Sequence, residues 1–513
     1  MDQVEKWGMF EICCKGKTEG NPYRDYTITA VFEGEKERVR VNGFYDGNGI
    51  YRARFMPSYE GVYSYRMEGD YSDIVTEGYF KVVTPSAENH GPVIADGTRL
   101  RYQNGKPCHI FGTTCYAWVH QSEQIQEQTL STLQENAFNK LRFCFFPKYY
   151  EFNTKEPVTY PFEKGNGEGL DTKLVEREKE VRTVFPGMKD DGQEYGFDYT
   201  RFNVEHFQRF DKRISQLLNM GIEADLILMH PYDRWGNNEM DRESCLQYLK
   251  YVTARYSAYR NVWWSLANEY DLIKTKDLED WEIYGITVSE NDPYHHLLSI
   301  HNAVQNYDFS KQWITHCSLQ RTDFYKTTED TDIFIEKYNK PVVWDEVCYE
   351  GNIGIGWGNI TGQELVRRFW EASMRGGYCG HGETFLAPDD ILWWSHGGKL
   401  KGESPSRIKF LSEIMKDVPG GYLSKGNGMF DEVVGCAGEH TGKGHATCYD
   451  YSIHYLGICQ PAYRMVFLPE DADYEVELID TWGMTVTPLG KMRGVNRIKM
   501  PEKQYMALKI KKV

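Results

Sequence analysis

This 513-residue chain has few of the features that would place it in a membrane, on a nucleic acid or around a metal cluster. It contains no run of about 18 apolar residues, so no membrane-spanning helix is expected. The first residues, Met1 to Gly8, carry neither the basic nor the apolar segment of a signal peptide, which gives a cytoplasmic expectation. Positive charge is in deficit: the formal net charge is −16 and the isoelectric point is near 5.4. That balance argues against nucleic-acid partners and anionic membrane surfaces. Cysteine is not scarce, at 12 residues, but no CxxC pair occurs. Cys13 and Cys14 are adjacent, and Cys115, Cys144, Cys317, Cys348 and Cys379 sit inside apolar segments. This usage reads as reduced and buried thiols, in line with a cytoplasmic address. Internal repeats and low-complexity tracts are also lacking.

Aromatic residues are abundant, at 14% of the chain with 13 Trp and 36 Tyr. Such rings fill large cores, and they also stack on the apolar faces of sugars; the count alone does not separate the two roles. The length predicts several domains.

Residues 1–88 read as a β-sandwich. Tyr26–Phe32, Arg38–Asn42, Gly49–Phe55 and Gly61–Met67 alternate or are β-branched, with Gly, Asn and Asp between them. Residues 89–418 switch to strands alternating with helices. Candidate strands are His109–Thr114, Phe138–Phe146, Ile222–His230, Val262–Ala267, His296–His301, Trp313–His316, Val342–Asp345 and Gly377–His381. Candidate helices are Glu123–Ala137, Val204–Met220, Asp241–Tyr259, Asp330–Asn339, Gln363–Gly376 and Ser406–Lys416. The pattern fits an α/β fold, a (β/α)8 TIM barrel with insertions. A doubly wound sheet would call for a Gly-rich phosphate loop after the first strand, and none is there. The connection 147–202 is unusually long and, following a strand's C-terminal end, should overhang the active face. Residues 419–513 return to a β pattern and predict a second sandwich, which would pack against the barrel or form contacts in a homo-oligomer.

The most informative stretch is Asn261–Asp271, where the apolar run Val262–Ala267 ends abruptly in Asn268-Glu269. A second run, Pro341 to Trp344, ends in Asp345-Glu346. Barrel enzymes present their reactive groups at strand C-termini, and two carboxylates in different environments are what glycosidic hydrolysis needs. An Asn-Glu pair in isolation could equally cap a helix. His230, His301 with Asn302, and His316 are placed at the ends of strands three, five and six. Three such His could bind zinc, but barrel metallohydrolases begin with an HxH on strand one, where this chain has Thr113-Thr-Cys-Tyr116. Hydrogen bonding to sugar hydroxyls is the favoured reading, and no cofactor is expected. Trp118, Trp235, Trp357 and Trp394 are candidate walls, each as compatible with packing.

The two strand-end carboxylates resemble those of clan A of the glycoside hydrolases. That resemblance implies Glu269 as acid/base, Glu346 as nucleophile and Asn268 as partner of the sugar 2-hydroxyl. It also implies that Arg142 on the second strand holds the nucleophile carboxylate, although Arg142 reads equally as a structural ion pair. The sandwich–barrel order, with His381-Gly-Glu-Thr384 and Trp393-Trp-Ser-His-Gly-Gly398, is similar to bacterial proteins with DUF5060, DUF4038-like and DUF5605 domains, a group assigned to the glycoside hydrolases. It departs from the wider clan at strand eight, where His381 and Glu383 replace the usual Trp; stacking then falls to Trp393 or Trp394. The resemblance implies a retaining hydrolase of oligosaccharides. The alternatives are a non-catalytic carbohydrate-binding protein on a vestigial barrel and a metal-dependent hydrolase on the same scaffold.

Overall fold

The computed structural model describes residues 1–73, 75–165, 196–428, 432–440 and 449–513. The long connection 147–202 therefore lies partly outside the described residues.

Eight parallel strands form the central sheet, in the order Leu298–Ser299, Val262–Ser265, Glu223–Ile227, Lys140–Cys144, Phe111–Thr114, Tyr378–His381, Val342–Glu346 and Cys317–Gln320. The two end strands meet through a parallel bridge between His301 and Ser318, which closes the barrel. Every residue of the second, third and seventh strands is buried. This is the run-like pattern of a parallel sheet covered on both faces. Helices Glu123–Glu135, Val204–Asn219, Arg242–Tyr256, Leu278–Asn291, Thr331–Tyr338, Gly362–Met374 and Ser404–Lys416 surround it.

Strand six and one barrel helix depart from the sequence expectation. The sixth strand is Cys317–Gln320, not Trp313–His316, so His316 stands at its start rather than its active end. Trp313 is instead buried against helix Leu278–Asn291, where a side chain on Gly285 would come within 2.4 Å of its ring. That helix has no counterpart among the sequence candidates.

The N-terminal region is two sheets face to face. One is ordered Asp2–Glu5, Glu77–Val83, Gly61–Glu68, Thr29–Glu33 and Arg38–Asn42; the other is Phe10–Lys15, Ile50–Phe55 and Phe44–Tyr45. Phe10 stacks on Phe80 at 3.8 Å and Phe32 on Phe55 at 4.4 Å between them. Arg54 ties this sandwich to the barrel, 2.8 Å from Asp211, and Arg255 lies 2.8 Å from Asp46. The C-terminal region is a six-stranded sheet with a two-stranded companion, around a core that includes Val466, Tyr474, Ile498 and Leu508. No described helix is long and apolar enough to cross a membrane, and the described cysteines are free thiols.

Candidate active site

The fourth strand ends at Ser265, and the next residues are steered by their neighbours. The Leu266 N–H donates to Ser299, the Asn268 N–H to Met229 and the Tyr270 N–H to His301. Glu269 itself takes a left-handed backbone, φ 51° and ψ 52°. That conformation costs a non-glycine residue roughly 1 kcal/mol and turns the carboxylate into the barrel mouth. Glu346 is the last residue of the seventh strand. Both carboxylates line one open cavity of about 210 Å³, together with Tyr116, Lys148, Tyr232, Gln320, Tyr349 and Trp394.

The two are held differently. Glu346 accepts a hydrogen bond from the Tyr116 hydroxyl, and the His301 Nε2 lies 3.5 Å from it. Burial pushes its carboxyl up, but His301, Tyr116 and the charge of Lys148 outweigh burial and bring it down to about 2. Glu269 accepts from Tyr232 Oη, from Asn268 Nδ2 at 3.2 Å and from Gln320 Nε2 at 3.2 Å. Burial, and then the negative charge of Glu346, hold its carboxyl above the ordinary carboxylate range. A short chain connects the pair: His301 Nε2 lies 3.1 Å from Gln320 Oε1, and the Gln320 amide reaches Glu269.

Beneath the mouth is a floor of fixed charge. Lys140 Nζ lies 2.5 Å from Asp225 and 2.6 Å from Asp345. Arg142 pairs with Asp225 at 2.9 Å, and its other terminal nitrogen donates to Asn268 Oδ1 at 3.3 Å. Arg142 thus does not hold the Glu346 carboxylate, as the clan resemblance implied; it orients Asn268 from below. The Asn268 oxygen also lies 3.3 Å from the Tyr116 hydroxyl, so the amide is committed to the protein on that side.

Of the candidate site residues read from the sequence, Glu269, Glu346, Trp394 and Trp357 line the cavity, and the others do not. His230 Nε2 donates to the Phe146 carbonyl while its Nδ1 accepts from the Tyr232 N–H. Burial holds it neutral, down to about 3, and it positions Tyr232 rather than a sugar. His316 is buried beside the floor network. His381 Nδ1 lies 2.9 Å from Thr113 Oγ1, and its ring stacks on Phe138. Asn302 is buried outside the cavity lining. Trp118 donates to the Gln126 carbonyl, and Trp235 donates to Glu156. Glu383 accepts from the backbone N–H groups of Lys401 and Gly402, anchoring the loop before the last barrel helix. His230, His301 and His316 are not brought together, and no group of three or more metal-ligating side chains is assembled among the described residues.

Sequence reading missed Tyr116, Lys148, Tyr232 and Gln320. Tyr116, Lys148 and Tyr232 follow the ends of strands one, two and three within a few residues, and Gln320 ends strand six. Position after a strand end was the available signal; residue type alone was not.

Comparison with known proteins adds a family frame. The model of the Apiosidase-like catalytic domain matches residues 95–394. The domains of unknown function DUF5060 and DUF5605 match residues 3–70 and 439–511. A solved structure from Bacteroides vulgatus, described as a "putative glycoside hydrolase", is 35% identical over 100% of both chains, with a TM-score of 0.88. A glycoside hydrolase family 5 structure from the same organism is 16% identical, covers 82% of this chain and 93% of its own, and has a TM-score of 0.57, a likeness of fold. No curated protein matches the chain.

Proposed function

Since the chain belongs to the family of Apiosidase-like catalytic domains and is a glycoside hydrolase, we propose that it cleaves O-glycosidic bonds of an oligosaccharide with retention of configuration. Glu346 is the nucleophile and Glu269 the acid/base. The observation that carries this reading is the opposed setting of two carboxylates in one cavity: Glu346 is held ionised, and Glu269 is held toward its protonated form.

In the first step a Glu346 oxygen bonds to the anomeric carbon as the glycosidic C–O bond breaks, and the Glu269 proton passes to the leaving oxygen. In the second, Glu269, now a carboxylate, takes a proton from water. The water oxygen bonds to the anomeric carbon, the ester bond breaks, and Glu346 is restored as a carboxylate. A cavity of about 210 Å³ is somewhat larger than one of about 150 Å³ that takes a benzene ring, which suits a single sugar ring. Trp394 and Trp357, with ring centroids 5.0 Å apart, form one wall for it.

The test is a screen of aryl glycosides, aryl apiosides among them because of the family's name, and of plant oligosaccharides. Glu346→Ala and Glu269→Gln should each remove nearly all turnover while the thermal melt is preserved. Proton NMR of the first-formed sugar should show the anomer of the substrate. Wild-type-like turnover in either variant, or an inverted first product, would overturn the assignment.

A further inference from the structure

Lys148 follows the second barrel strand, is 2% exposed, and lines the same cavity as the two carboxylates. Among the described residues its ammonium has no hydrogen-bond or ion-pair partner. It is caged by rings instead: its Nζ lies 3.6 Å from the centroid of Tyr116, 4.1 Å from Tyr232, 4.7 Å from Tyr150 and 5.2 Å from Trp394. A desolvated ammonium gains up to about 2 kcal/mol from such a ring face, well short of what burying a charge costs. Packing alone would be met by Met at lower cost, so the charge calls for a role.

The two nearest rings supply one. Tyr116 is the phenol that donates to Glu346, and Tyr232 is the phenol that donates to Glu269. One cation therefore sits over both hydroxyl clamps. The floor cannot offer Lys148 a counter-charge, because Asp225 and Asp345 are already engaged by Lys140 and Arg142. The negative charge left to balance it is that of the two cavity carboxylates.

We propose that Lys148 is the shared counter-charge of the two-step reaction, a positioning residue that steadies whichever of Glu346 and Glu269 is ionised. This rests on the acid/base and nucleophile assignment above. At rest Glu346 is ionised and Glu269 protonated, one negative charge opposite one positive. In the glycosyl-enzyme Glu346 is an ester and Glu269 is ionised, again one opposite one. The charge moves from one side of the cavity to the other while the cation between the clamps stays still. A fixed charge already in place for both states needs no reorganisation during either step. The balance also matches a neutral sugar, since the cavity's own charges sum to zero at each stage.

Besides the tyrosines, the titratable and charged groups facing Lys148 are Glu269, Glu346, Arg142, Cys144 and His230. Removing its charge should raise both cavity carboxyls together. The acid limb of kcat/KM, set by Glu346, and the basic limb, set by Glu269, should both move to higher pH.

The experiment measures kcat/KM against pH for wild type, Lys148→Met, Lys148→Arg and Glu269→Gln. The substrate is the phenyl glycoside of the sugar found in the screen, whose leaving oxygen needs a proton, so that the basic limb reports Glu269; the residual turnover of Glu269→Gln is followed at high enzyme concentration. Lys148→Met should lose about 100-fold in kcat on a substrate with a poor leaving group and shift both limbs upward, and Lys148→Arg should bring the limbs back. Limbs at the wild-type positions in Lys148→Met, whatever its turnover, would overturn the proposal; Lys148→Gln serves if the Met variant does not fold. Glu269→Gln separates the two levels of inference. If it keeps the basic limb, the acid/base assignment fails. If it loses that limb while Lys148→Met moves neither, only the role of Lys148 fails.

Discussion

Two charged clusters share this barrel, and they are built on opposite rules. On the floor, Lys140 and Arg142 meet Asp225 and Asp345 in direct ion pairs, all of them buried. At the mouth, Glu269 and Glu346 face Lys148 without a direct ion pair to it; their hydrogen bonds come from Tyr116, Tyr232, Asn268 and Gln320, and the His301 imidazole lies 3.5 Å from Glu346. A salt bridge fixes a carboxylate as ionised and removes it from proton chemistry. Without a saturating ion pair the two carboxyls are free to diverge: His301, Tyr116 and the charge of Lys148 bring Glu346 down to about 2, while burial and the charge of Glu346 keep Glu269 raised. Charge that is saturated holds the barrel, and charge left unsaturated is available to react.

The floor should be far more sensitive than the mouth to losing one partner. Asp225→Ala leaves Lys140 and Arg142 with a single carboxylate between them, and breaking a buried pair in this way costs about 3–5 kcal/mol. Urea unfolding should show that loss, while Glu346→Ala at the mouth should cost little stability and nearly all activity. Equal stability losses in the two variants would erase the distinction between floor and mouth.

Smaller effects are expected at the two tyrosine clamps. Tyr116→Phe and Tyr232→Phe each remove one donor to a carboxylate, worth about 1.5–3 kcal/mol, or about 10- to 100-fold in kcat/KM. Tyr116 donates to the ionised form of Glu346 and so lowers its carboxyl; its removal should move the acid limb up in pH. Tyr232 lowers Glu269 in the same way, so its removal should move the basic limb up. Profiles in which both variants shift the same limb would show that the clamps are not separate.

Much of this arrangement is legible in the sequence, and the illegible part has a pattern. Strands with long apolar runs, such as Val262–Ser265 and Val342–Glu346, announce both themselves and the carboxylates at their tips. Helix Leu278–Asn291 does not, because Gly285 and the β-branched Ile286, Thr287 and Val288 interrupt its middle. The glycine is there to admit the Trp313 ring, a partner 28 residues away in the chain. Lys148 is hidden for the same reason. Its four cage rings come from four different connections of the barrel, and no local spacing predicts their meeting. The strand-end histidines mislead in the other direction. Their residue type suggests ligand binding, yet His230 spends its two nitrogens on backbone groups.

Glu383 belongs to neither cluster and offers the finest test of the rule. It is buried, and its carboxylate accepts from two backbone N–H groups. Burial is the larger influence, followed by those two donors acting against it and by the nearby Glu350, and the carboxyl is raised to about 7. An unfolded Glu titrates near 4.3. The folded state therefore binds the proton more tightly, and stability is full below about 4.3 and declines as pH climbs toward 7. Glu383→Gln is fixed in the neutral form and escapes that decline. It should match wild type near pH 4 and melt a few degrees higher at pH 8, for a difference of about 3–4 kcal/mol. Activity should be unchanged, since the side chain anchors a loop outside the cavity lining. A gap that closes or reverses with rising pH would mean that the two backbone donors outweigh burial. Glu383 would then follow the floor's rule of saturated charge, reached there through N–H groups in place of cations.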